Sequence, residues 1–176
     1  MYISGYRLQP LVIAVTLLAA IAAATLAAIA IKRGRHPRRS IPEAALLWVL
    51  ATITAMSLEP DSGRDGAGSC SFALDYEFAF VINQRTLNQA LYIPLGLLAV
   101  MIARSTRQRI AAVGAALALS MVFELLQSTE SIGRSCDITD VIDNGIGIAI
   151  GVGLGTVFTM IPRLTTSFSG RPTIEP

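Results

Sequence analysis

Seven polar residues between positions 88 and 144 could do chemistry if they were brought together: Asn88, Glu124, Gln127, Arg134, Asp137, Asp140 and Asn144. Glu124 and Gln127 stand three apart, and Asp137, Asp140, Asn144, Gly147 and Gly151 advance by three or four, so each set occupies one face of a helix. Asp143 flanks the second set. Carboxylates and amides around one guanidinium suit recognition of a polar headgroup. Arg134 would meet a phosphate or carboxylate, while the acids accept from sugar hydroxyls or amines, or hold a divalent cation. The structural alternative uses the same residues without a ligand: Arg134 neutralises the aspartates, Asp137 or Thr139 caps a helix, and Asn88 and Gln127 bridge helices. Catalysis has less behind it, because the chain contains no GxSxG, HExxH or P-loop, and its one histidine is His36. An enzyme acting on a lipid phosphate or carrier-linked substrate would have to use Glu124 or Asp140 as acid, base or cation ligand. No cofactor and no resident metal are expected.

These residues need elements to carry them, and the composition says which. Of 176 residues, 53% are hydrophobic and 15% charged, more apolar material than one soluble core needs. Five segments approach the roughly 20 apolar residues that cross a bilayer: Leu11 to Ile31, Ile41 to Leu58, Leu87 to Ala103, Ile110 to Gln127, and Val141 to Ile161. None alternates with period two, which favours helices over a barrel. The expected fold is an all-α polytopic membrane bundle of about five helices. It divides into two N-terminal helices with an outer loop (1–86), a three-helix core (87–161) and a tail (162–176), together one membrane domain. Arg7 and "AIA" at residues 20–22 resemble a signal peptide, yet apolarity continues to Ile31, longer than a signal core. Retention as a helix is expected.

Basic residues cluster in "KRGRHPRR" (Lys32 to Arg39), in "RSTRQR" (Arg104, Arg107, Arg109) and in the tail (Arg163, Arg171). Five crossings put all three groups on one face, which the positive-inside rule makes cytoplasmic, leaving the N-terminus outside and the C-terminus inside. Anionic membrane lipids account for these clusters, and no nucleic-acid partner is required. The same topology gathers the polar residues at the outer boundary, since segments three and five begin there and segment four ends there. Cys70 and Cys136 also fall outside, where a disulfide between them is expected; two unpaired thiols are the alternative. The outer loop contains "FALDYEFAFVI" (Phe72 to Ile82), which suits either an interfacial segment or a loop packed on the bundle. Pro94 predicts a kink near Leu91 to Pro94, and Gly96 beside it permits close helix approach. Gly147, Gly151 and Gly155 form a small-residue stripe for packing.

Between Leu87 and Gly155 the chain resembles the VanZ-like family of small bacterial membrane proteins. The resemblance rests on Asn88 followed by "YIPLG" (Tyr92 to Gly96), on Glu-x-x-Gln at Glu124 and Gln127, and on Arg134, Asp137, Asp140, Asn144 and Gly147 in order. Tyr92 stands where Phe is common, and "DNGIG" replaces the more usual Asn-Thr-x-Gly. The resemblance implies a multi-pass protein of the bacterial plasma membrane that is similar to a resistance factor against teicoplanin. Its expected role is glycopeptide resistance or cell-envelope homeostasis, through an outer polar cleft that binds a lipid-linked or cell-wall headgroup.

Overall fold

Five long helices arise where the apolar segments were marked, with boundaries moved by local capping chemistry. The computed structural model describes the backbone of residues 2–3, 6–7, 10–58, 70–71, 84–127 and 136–168, and the side chains of 10–58, 85–127 and 137–160. In chain order the elements are β1 (Tyr2–Ile3), β2 (Tyr6–Arg7), α1 (Pro10–Lys32), α2 (Pro37–Ser57), β3 (Cys70–Ser71), α3 (Gln84–Ile102), α4 (Thr106–Gln127), β4 (Cys136–Asp137) and α5 (Ile138–Phe168). All five helices are long and apolar enough to cross a membrane. The strands are two-residue pairs, β1 antiparallel to β2 and β3 parallel to β4.

The basic linker after α1 is shorter than its composition suggests. Gly34 takes φ +84, its N–H reaches Ile31 O at 2.9 Å, and the Arg35 N–H reaches Ala30 O at 3.0 Å. That pair of bonds closes the helix with a left-handed residue, a position that favours glycine. His36 is extended and its Nδ1 accepts from the Arg38 N–H at 3.2 Å. Pro37, with φ already fixed and no N–H to satisfy, therefore starts α2 four residues before the apolar run. A similar device starts α4: Ser105 Oγ accepts from the Gln108 N–H at 3.3 Å, and Gln108 Oε1 accepts from the Arg104 N–H at 2.7 Å. Asp137 starts α5, its Oδ1 accepting from the Thr139 N–H at 2.8 Å.

The core lies among α2, α3, α4 and α5 and is filled by Val49, Ile53, Tyr92, Leu95, Leu98, Ala116, Phe123 and Ile148. The closest pair is α3 with α5, which run parallel with their backbones in contact. A Cβ on Gly147 would collide with Gln89 O, one on Gly151 with Ile93 O, and one on Gly155 would sit 2.8 Å from Leu97 O. From the other helix, a Cβ on Gly96 would collide with Ile148 O. Helix α3 continues through Pro94 to Ile102.

Helix α1 stands outside this group, on α2 alone, where Trp48 Nε1 donates to Thr16 O at 3.2 Å. Its leucines and isoleucines are mostly exposed, as are Met121, Leu125, Val157 and Phe158 on α4 and α5. A bilayer accounts for such a surface. Hydroxyls within the spans turn inward on their own helices: Thr25, Thr52, Thr54 and Thr156 each donate to the carbonyl four residues back at 2.8–2.9 Å.

Candidate functional site

At one end of the bundle the C-terminal ends of α2 and α4 meet the N-terminal ends of α3 and α5. The expected polar residues assemble there, but largely by bonding to one another. Asn88 Nδ2 donates to Asp140 Oδ1 at 2.8 Å, and its neighbour Gln89 donates from Nε2 to Asp143 Oδ1 at 2.8 Å. Both bonds join α3 to α5 just above the glycine contacts. Across the other flank of α5, Asn144 Nδ2 donates to Ser120 Oγ at 3.0 Å and lies 3.5 Å from Glu124 Oε1 on α4. Gln127 Nε2 donates to Ser57 O at 2.9 Å, tying α4 to the last turn of α2.

Burial is deep for so polar a group. Glu124, Gln127, Thr139, Asp143 and Asn144 are all buried, Asp143 with 1% of its surface exposed. A carboxylate removed from water is costly unless its oxygens find donors. Asp143 has one such donor, Gln89, for Oδ1, and its Oδ2 has no hydrogen-bond partner. Asn144 Oδ1 and the Tyr92 hydroxyl are also buried and unpartnered. The Tyr92 hydroxyl lies beside those of Ser57 and Ser120. It thus faces the polar cluster.

Asn88, Glu124, Gln127, Asp140 and Asn144 therefore share one end of the bundle. Asp137 caps α5 beside them. Arg134 and Phe72 to Ile82 lie outside the described residues. The backbone register pairs Cys70 with Cys136, while their side chains lie outside the described set. Four participants were not marked as site residues: Gln89, Tyr92, Ser120 and Asp143. The signal for Asp143 was present, since 143, 147, 151 and 155 form one strict four-residue series that must face α3 together. Ser120 carried no such signal, being a lone hydroxyl in an apolar helix.

The array is rich in acceptors, and Asp143 Oδ2 and Asn144 Oδ1 among them call for hydrogen-bond donors. Among the described residues, no three carboxylate, imidazole or thiol groups converge as metal ligands. At the opposite end, a cleft of about 710 Å³ opens among α2, α3 and α4. It is lined by arginines and belongs to a different chemistry.

No curated protein and no solved structure matches the chain. A family model described as VanZ/LLP1 matches residues 16–159. The match runs from the first turns of α1 to near the end of the α5 span, so it takes in the first two helices as well as the three that carry the polar motif.

Proposed function

The chain belongs to the VanZ/LLP1 family, and from that premise we propose that its acidic end is a receptor for a hydrogen-bond-donating headgroup. The headgroup is a hydroxyl- or amine-bearing part of a lipid-linked or cell-wall precursor. The acidic end faces the outside, with the N-terminus outside and the C-terminus in the cytoplasm, as the arginine distribution supports. By holding such a headgroup the protein contributes to envelope homeostasis and to tolerance of glycopeptides such as teicoplanin. The observation that carries this reading is the buried, unpartnered pair Asp143 Oδ2 and Asn144 Oδ1 at the junction of three helices. Ionisable residues inside a membrane bundle are expensive and mark sites where something polar binds or passes. Arg134, three residues before Asp137, supplies the anionic part of the same ligand with a counter-charge.

The test compares retained molecules and drug susceptibility in one strain set. Protein purified in native lipid should carry a co-purifying envelope lipid by mass spectrometry, reduced at least about tenfold in Arg134→Ala and in Asn144→Ala. Teicoplanin tolerance should fall in parallel, with the amount of membrane-inserted protein unchanged. Equal retention and equal tolerance in parent and variants would refute the reading. Turnover of the retained lipid by the purified parent would instead move the assignment to an enzyme.

A further inference from the structure

We infer that the cleft at the basic end of the bundle is a specific binding site for an anionic glycerophospholipid, separate from the acidic end. The cleft lies between the start of α2, the end of α3 and the start of α4. Arg38, Arg39 and Arg104 line it together with Leu46, Ile102 and Ala112. A soluble anion would use the arginines and leave the apolar part of the lining unused. A headgroup with attached acyl chains uses both.

Charge and lining agree on the occupant. Glu43 is the carboxylate of the cleft, and it is already held by two arginines: Arg39 Nε at 2.7 Å and Arg35 at 3.2 Å. Among the described residues, neither Arg38 nor Arg104 has a carboxylate partner. The cleft therefore keeps an excess of positive charge after its internal pairing. Two helix N-termini, those of α2 and α4, add the positive ends of their dipoles. The candidate spans of α2 and α4 begin, and that of α3 ends, at this cleft. Met101 lines the cleft and is 40% exposed, so apolar surface continues from the lining to the outside of the bundle. The volume, about 710 Å³, exceeds what a phosphate fills and is within the roughly 300–1,000 Å³ of ligand pockets. Basic pockets between membrane helices are the usual form of such lipid sites.

The experiment uses the full chain, delipidated in neutral detergent, and follows its thermal unfolding midpoint during titration with dispersed phosphatidylglycerol, phosphatidylcholine or inorganic phosphate. The parent should be stabilised saturably by phosphatidylglycerol alone. The double variant Arg38→Gln/Arg104→Gln should need at least about tenfold more of it, while Arg33→Gln/Arg109→Gln, equal in charge but outside the lining, should behave as the parent. Ala112→Phe removes space without charge and should also lose the response, which keeps the test decisive if the arginine variant folds poorly. Equal weakening in both arginine pairs would reduce the effect to diffuse surface attraction. An equal response to inorganic phosphate, or to phosphatidylcholine, would overturn the site.

Discussion

Asp143 concentrates the chemistry of the acidic end in one side chain. Its single donor is Gln89 Nε2, so Gln89→Leu strands a buried carboxylate and should cost about 2–3 kcal/mol, since an unsatisfied buried polar group costs roughly 1–3 kcal/mol and a charged one more. Replacing both members, Gln89→Leu/Asp143→Leu, should recover most of that loss, because neither group is then left alone. Chemical or thermal unfolding of the two variants in one detergent checks the difference; a double variant less stable than Gln89→Leu would contradict it. Lipid retention should stay low in the double variant even as stability returns, which separates holding the fold from holding a ligand. At this scale the sequence was legible wherever helical spacing repeated. Glu124, Asp140 and Asn144 follow from three- and four-residue steps, and Asn88 from the topology that puts the start of α3 beside them. Tyr92 and Ser120 do not, because the groups they meet sit on other helices at distances no local pattern encodes.

Helix α5 does two jobs at once, with carboxylates and an amide at its head and glycines below. The glycines let α5 settle onto the carbonyls of α3, and that depth brings Asp140 and Asp143 within reach of Asn88 and Gln89. Gly151→Ala should therefore destabilise the bundle by about 1–3 kcal/mol, the usual range for overpacking, because its Cβ meets Ile93 O. Gly153→Ala is the matched control. Nothing lies within 4 Å of its Cβ, so it should be neutral or stabilising by up to about 1 kcal/mol. Unfolding midpoints measured side by side decide, and equal effects would mean that the α3–α5 contact is not the tight one. The helices themselves were plain from apolar length, and their ends were not. His36, Ser105 and Asp137 advance the starts of α2, α4 and α5 through single hydrogen bonds that hydropathy averages away.

The whole molecule has two unlike poles, an acidic end made of interlocked side chains and a basic end made of an open cleft. That polarity was readable from the distribution of arginines alone. One labelling experiment tests the orientation and the cysteine pairing together. A membrane-impermeant thiol reagent applied to intact cells should leave Cys70 and Cys136 unmodified until a reductant is added. In a chain with both of these changed to serine, Ser105→Cys should be labelled only after the cells are opened. Labelling of Ser105→Cys in intact cells would invert the topology, and labelling of the native pair without reductant would exclude the disulfide between residues whose backbones β3 and β4 place side by side. The parallel packing of α3 with α5 also has a consequence in time. Chains emerge from the N-terminus at about 5–20 residues per second, so α3 and α4 exist for seconds before α5 is made. Over that interval Asn88, Gln89 and Ser120 await the partners that α5 brings, and the groove that receives its glycines is open to lipid. Helix α5 is thus the one that closes the core, and α3 and α4 are synthesised as an incomplete socket for it.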